Sequence, residues 1–190
     1  MAKKTVDFSD WLRPSLIRIA RFHYLLLGVY AVQTIVMDAW HIIVPEIVLQ
    51  RWIAAALLLS ITAVVWYLAH NRSNDIPTYK RLVFMLITAD IFMAAFNVYI
   101  ERGMASRATL LFAIPIAVSA VLLSRSAIYA TAALSTAAYL TAAVSYFVLN
   151  FNEGYKTELY AVTGFYVAIF FVLAGLLSSL IKFSGQSSDR

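Results

Sequence analysis

The chain has 190 residues, of which 62% are apolar and only 13% charged, and its mean hydropathy is +0.78. Soluble domains are about 45–50% apolar and about 25% charged, so a soluble fold could not cover this much apolar surface. The composition therefore predicts an integral membrane protein. Because the sequence contains no cysteine, disulfides, thiolate metal sites and a cysteine nucleophile are excluded.

The first 22 residues are predicted to form a cytoplasmic basic amphipathic segment. On a helical wheel its apolar residues oppose Arg13, Arg18 and Arg21. Such a segment either lies in the headgroup layer against anionic lipid or is a positively charged topogenic flank. Pro14 suits the first turn of a helix, so we expect a helix to start there and run directly into the first span. No small-residue cleavage site follows, so we expect the segment to be retained.

Six long apolar runs come next, each close to the roughly 20 residues that a spanning helix needs. They do not alternate as membrane β-strands would. The runs cover residues 23–40, 52–70, 82–100, 108–123, 128–148 and 159–181. The fold class predicted is all-α: a polytopic membrane protein with a six-transmembrane-helix bundle over residues 23–182 and a polar cytoplasmic tail over 183–190. Short connections favour antiparallel neighbours.

The distribution of basic residues predicts the orientation. Eleven of the 15 lysines and arginines lie in the N-terminal segment, the loops after spans 2 and 4, and the C-terminal tail. Positive charge marks the cytoplasmic side, so we expect both termini to be cytoplasmic. Since no basic patch interleaves with aromatic residues on a soluble face, the lipid bilayer and not a nucleic acid is the expected contact.

Asp90 is the most informative polar residue, because it lies near the middle of span 3. An ionisable group at that depth costs several kcal/mol unless it is paired, protonated or hydrated. We therefore expect it to face the bundle interior or a polar cavity, either as a switch, proton or ligand site or as a buried carboxyl bonded to hydroxyls. Asn97 shares its face and Thr88 does not. Gln33, in the outer half of span 1, is a third candidate.

Spans 4 and 5 carry features of helix geometry. Pro115 removes a backbone hydrogen bond within span 4, and we expect it to kink that helix and to form a cavity, a hinge or only a bend. Small and hydroxyl residues recur along span 5, which predicts a central position or a dimer contact. Those residues are Thr131, Ser135, Ala138, Ala142 and Ser145, and span 6 has a similar pair in Gly175 and Ser179.

The turn after span 3 is expected on the non-cytoplasmic side and carries Glu101, Arg102, Gly103 and Arg107. These charges would either bind an anion or pair with one another at the surface. No catalytic constellation is visible elsewhere: the three histidines are widely separated, and neither G-x-S-x-G nor a phosphate-binding glycine loop is present. We therefore expect neither catalysis nor a metal site, and the sequence does not identify a cofactor.

Taken together, Asp90, Gly103, Ile114-Pro115, Arg125 and Tyr139 resemble the six-helix membrane sensor module of bacterial histidine kinases of the redox-sensing and pilus-regulating type. In that family an Asp in span 3 precedes a glycine-containing outer turn, a Leu/Ile-Pro pair in span 4, and an Arg before a small-residue span 5 with a Tyr. The family's outer loop has paired glycines followed by Ser/Asn-Pro, whereas this chain has Gly103-Met104-Ala105-Ser106-Arg107. The resemblance implies a multi-pass location in the bacterial inner membrane and a homodimer.

Since the sequence contains no phosphoacceptor helix and no ATP-binding domain, we expect a sensor or regulatory module. It would relay a signal through helix rearrangement to a cytoplasmic partner or output domain. Two alternatives stay open. One is a small transporter or channel with a path lined by Asp90, Asn97 and Gln33, and the other is a structural subunit of a membrane complex.

Overall fold

The computed structural model describes residues 8–70, 75–150 and 157–186, and within them every regular element is a helix. The all-α fold with six helices is therefore confirmed. The helices are α1 Phe8–Ala39, α2 Pro45–His70, α3 Ile76–Ile100, α4 Ala113–Ser119, α5 Arg125–Leu149 and α6 Thr157–Gln186. All but α4 are long and apolar enough to cross a membrane. The other five predicted apolar runs lie within the five longer helices or end one residue beyond them, and these helices extend into the flanking polar residues.

The fourth helix differs from the regular span expected over residues 108–123. A 3₁₀ segment, Arg107–Phe112, leads into α4, and a second, Ala120–Leu122, follows it. A 3₁₀ helix rises about 2.0 Å per residue against about 1.5 Å for an α-helix, so Arg107–Leu122 has a length of about 28 Å. The tighter winding thus brings a short sequence close to the ~30 Å hydrocarbon thickness.

The start of α1 also differs from the expectation. The helix begins at Phe8, so Pro14 lies inside it and not in its first turn. The proline removes one backbone hydrogen bond, but Leu12 and Leu16 on either side of it are fully buried, and this packing favours continuation. The helix does run directly into the first span, as expected, without a break at residue 22.

The chain divides into two compact units, Met1–Leu86 and Ile87–Arg190, with the division inside α3. In the first unit α1 packs against α2. Arg13 on α1 contacts the C-terminal end of α2: its Nε donates to the Ala69 carbonyl at 3.0 Å and its Nη2 to the His70 carbonyl at 3.3 Å. These carbonyls have no partner within their own helix, so a cation here caps α2 and complements its dipole.

In the second unit α5 packs against α6, against α4 and against the 3₁₀ segments on both sides of α4. Thr131, Ser135 and Ala142 on its small-residue face are buried. Span 5 is thus central within this unit, because small side chains let neighbouring helices approach closely. The core contains large buried side chains from four helical elements, namely Phe112, Ile116, Tyr139, Phe147 and Phe170.

Candidate functional site

The two polar residues predicted to face inward on α3 are both buried. Asp90 is 4% exposed and Asn97 is 1% exposed, while Thr88 on another face is exposed. The Asn97 Nδ2 donates to the Met93 carbonyl one turn earlier, at 2.8 Å. Burial of the Asp90 carboxyl agrees with the cost of placing such a group against lipid. The structure thus places both residues on the inward face of α3.

The other two candidates have different surroundings. Gln33 belongs to the first unit, where its side chain is exposed and its Nε2 lies 3.9 Å from the Met37 sulfur. Pro115 is buried in the first turn of α4, so its missing N–H falls where a helix has free donors in any case. The interruption expected at Pro115 is therefore a change of winding, from 3₁₀ to α, two residues before it.

The outer turn is held against α5 at Gly103. Arg102 and Gly103 both have left-handed backbone conformations, with φ of 72° and 61°. A Cβ on Gly103 would lie 3.1 Å from the Ala143 carbonyl oxygen and 3.1 Å from atoms of the Tyr146 side chain. Tyr146 also makes an edge-on ring contact with Tyr99 at the end of α3, with 6.4 Å between centroids. A glycine is required here both for its conformation and for its lack of a side chain.

Ser106 fixes the other end of the turn. Its hydroxyl donates to the Glu101 Oε2 at 3.1 Å and accepts from the Ala108 N–H at 3.0 Å, which caps the 3₁₀ segment that begins at Arg107. The Thr109 hydroxyl donates to the Ser106 carbonyl at 2.9 Å. Arg102 and Arg107 are exposed. Glu101 therefore takes part in a cap that ties the turn to the fourth helix.

Tyr139 joins three elements in the core of the second unit. The side chain is fully buried, and its hydroxyl donates to the Thr163 Oγ1 on α6 at 3.4 Å. Thr109, in the 3₁₀ segment before α4, approaches the same hydroxyl. The ring packs edge-on against Phe112, Tyr166 and Phe170, with centroids 6.1–6.2 Å away. Such aromatic pairs add stability and direction to the packing.

These contacts form a continuous path across the second unit. The outer turn touches α5 at Ala143 and Tyr146. Tyr139 lies one helical turn before Ala143 on α5, and it contacts α6 through Thr163. The outer turn, α5 and α6 are therefore connected by direct contacts within this unit.

An open groove of about 720 Å³ runs between the second half of α3 and α5. Its walls are apolar and aromatic side chains with a few hydroxyls, and they include Phe92, Phe96, Leu134, Ala138 and Ser145. No charged side chain lines it. Its lining is therefore suited to contact with apolar groups. Among the described residues, no three of His, Asp and Glu come together in a way that could hold a metal ion.

Residues 6–190 match the family described as PilS-like transmembrane domain. The chain belongs to this family. The resemblance to the membrane sensor modules of pilus-regulating histidine kinases is thereby confirmed, and the PilS-like domain is a multi-pass membrane protein. No curated protein and no solved structure matches the chain.

Two interior side chains of this PilS-like domain, Arg51 and Tyr139, are not predicted to be buried from the sequence. Arg51 directly precedes the apolar run at 52 and, as a residue of the loop after span 1, is one of the four basic residues outside the predicted cytoplasmic segments, but it lies inside α2 and is fully buried. Its removal from that loop strengthens the charge bias from which the orientation was predicted. Tyr139 enters the sequence analysis only through the family resemblance, although Thr131 and Ser135 on the same face of α5 indicate that it is buried.

Proposed function

We propose that this PilS-like domain is a sensor module of the inner membrane, which relays a signal to a cytoplasmic signalling partner or output domain. The observation that carries the proposal is the path from the outer turn through α5 to α6. The charge distribution predicts the turn to be non-cytoplasmic and the C-terminal end of α6 to be cytoplasmic. The path therefore joins the two sides that a membrane sensor has to couple.

The outer turn is the proposed input. Because Gly103 lies against the α5 backbone, any ligand or partner that moves the turn has to move α5 or break this contact. Arg102 and Arg107 are exposed beside it and available to a partner. The Ser106 cap makes the turn and the fourth helix move together.

Tyr139 is the proposed coupling point between α5 and α6. Its ring contacts and its bond to Thr163 link the middle of α5 to the first half of α6. Helix shifts in switching proteins are typically about 1–2 Å, which closely packed aromatic rings transmit. Asp90, Asn97 and Pro115 stay candidate switch residues, and the small-residue pair Gly175 and Ser179 on α6 permits a homodimer.

The transporter alternative has less support in this unit. The groove between α3 and α5 lacks charged side chains, and transport of an ion or polar solute needs polar groups along a path. The contacts described above instead connect one end of the unit to a helix that reaches the other. We therefore favour relay over transport.

The relay is tested by moving the turn and measuring the opposite ends of α5 and α6. The chain has no cysteine, so spin labels at Arg125→Cys and Ser179→Cys, both exposed positions, report one distance in lipid nanodiscs. We expect Gly103→Ala to shift that distance by about 1–2 Å. The matched control Gly164→Ala should not, because nothing lies within 4 Å of its Cβ position.

A second variant separates relay from general loosening. Tyr139→Phe keeps the ring but removes the bond to Thr163. In the Gly103→Ala background it should reduce the change in the distance between the labels at Arg125→Cys and Ser179→Cys. Circular dichroism establishes that each variant is folded. An unchanged distance in folded Gly103→Ala protein would overturn the relay.

A further inference from the structure

A second polar cluster lies in the first unit, where α1 and α2 meet. Arg51 on α2 is fully buried. Its Nη1 donates to the sulfur of Met37 on α1 at 3.4 Å, and its guanidinium lies 5.8 Å from the centroid of the Tyr30 ring. The Gln33 Nε2 donates to the same sulfur at 3.9 Å. Two side-chain donors thus converge on one thioether.

A thioether sulfur is a weak hydrogen-bond acceptor, whereas the oxygen of a methionine sulfoxide is polar. Arg51 and Gln33 are therefore placed to receive an oxygen added to Met37. A charge-assisted bond from a guanidinium to oxygen is shorter and stronger than one to sulfur. The cluster favours the oxidised form of this side chain in a way that an apolar environment would not.

Met37 is also accessible. It is half-buried and lies two residues before the end of α1, followed by exposed Asp38, Trp40 and His41. Met85 and Met93 are half-buried like Met37 but lie far from the ends of the apolar helix α3, and Met104 is 4% exposed. Because the chain has five methionines and no cysteine, any oxidation of sulfur falls on methionine.

We propose that Met37 is a site of reversible oxidation by a two-electron oxygen donor, hydrogen peroxide or hypochlorous acid, and that Arg51 binds the resulting sulfoxide. With hydrogen peroxide, the sulfur lone pair attacks one peroxide oxygen and the O–O bond breaks. The sulfur is oxidised by two electrons, and the remaining oxygen leaves as water. Methionine sulfoxide reductases reverse the change.

Oxidation would move α1 and α2 relative to each other. The Met37 sulfur and the Arg51 Nη1 are 3.4 Å apart, while an N–H···O bond alone requires about 2.9 Å between nitrogen and oxygen. An oxygen bonded to the sulfur does not fit between the two atoms at this distance, so the Met37 and Arg51 side chains have to rearrange to form the new bond, and we expect α1 and α2 to shift with them. The proposal concerns the first unit and is independent of the relay through Tyr139.

The test is a titration of the full chain in lipid nanodiscs with hydrogen peroxide and, separately, hypochlorous acid. Peptide mass spectrometry gives the sulfoxide fraction at each methionine. We expect Met37 to be oxidised roughly tenfold faster than Met85, Met93 or Met104, since its position near the polar end of α1 gives a water-borne oxidant access to it. Equal rates at Met37 and Met93 would overturn the proposal.

Amide hydrogen exchange tests the binding of the sulfoxide by Arg51. Exchange in the peptides that contain Met37 and Arg51 should change on oxidation, and methionine sulfoxide reductases should restore it. The change should persist in Met93→Leu and be absent in Met37→Leu, a replacement of similar volume that is expected to fold. The same change in Met37→Leu, or none in the wild type, would show that the sulfoxide does not engage Arg51.

Discussion

At Gly103 the backbone is left-handed and lies directly against α5. Left-handed conformations cost other residues about 1–2 kcal/mol, and the added methyl group would press on the Ala143 carbonyl. We therefore expect Gly103→Ala to lower the free energy of unfolding by about 2 kcal/mol. Gly164 is the matched control, because it is helical and has open space at its Cβ position.

The measurement is unfolding in mixed micelles with increasing SDS, followed by circular dichroism. Gly164→Ala should be neutral or stabilising by about 0.5–1 kcal/mol, as expected for alanine in a helix. If Gly103→Ala proved as stable as Gly164→Ala, the turn would not be held against α5 as described.

Tyr139 and Arg51 show what the sequence can and cannot predict at this scale. The period of α5 indicates which face is buried, because residues three and four apart share a side of a helix. It does not indicate that Thr163, 24 residues later, lies against the Tyr139 hydroxyl. Likewise, Arg51 counts as a loop charge until the start of α2 at Pro45 is known. Contacts between helices depend on rotation and offset, which periodicity leaves open.

At the scale of elements, Arg13 joins the ends of two helices. Its bonds to the Ala69 and His70 carbonyls satisfy groups at the C-terminus of α2. We expect Arg13→Met to destabilise the protein by about 0.5–1 kcal/mol, since it keeps the apolar stem and removes the cap. Amide exchange in the last turn of α2 should become faster.

Arg18→Met is the control for this change, because Arg18 is exposed on the same helix. It removes the same charge without removing a cap. Equal effects of the two substitutions would mean that the loss of charge, and not the loss of the bonds to α2, is responsible.

Pro115 determines where α4 starts. Its ring would clash with the carbonyl four residues earlier in an α-helix, and it has no N–H to continue the ladder upstream. We expect Pro115→Ala to extend α-helical winding into Arg107–Phe112, which shortens the helix by about 0.5 Å for each residue converted. Backbone carbon chemical shifts measure this, and Pro77→Ala, in the first turn of α3, should change nothing comparable.

At the scale of the whole molecule, six apolar runs were enough to predict an all-helical membrane protein, because hydropathy and length alone determine that a segment can span. The ends were less predictable. α1 begins 15 residues before the apolar run at 23, since amphipathic helices continue through polar residues wherever one face packs. The 3₁₀ winding around α4 was not predictable, because its composition resembles that of an ordinary span.

The number of crossings is a property of the whole chain. If Arg107–Leu122 crosses the bilayer like the five longer helices, the number is even and both termini lie on one side, which the basic residues indicate is cytoplasmic. A reporter that is active only in the cytoplasm should be active when it is fused to either terminus. A reporter that is active only on the other side of the membrane should be inactive at both. Opposite locations would show that Arg107–Leu122 does not cross.

The burial of Arg51 bears on how the protein is made. An arginine that enters the bilayer alone is costly, about 2.5 kcal/mol or more at the centre of a span and less near its end. Tyr30 and Met37, which receive its guanidinium, lie on the preceding helix and leave the ribosome first. Tyr30 and Met37 are therefore synthesised before Arg51, and α1 and α2 are suited to enter the membrane together as a hairpin.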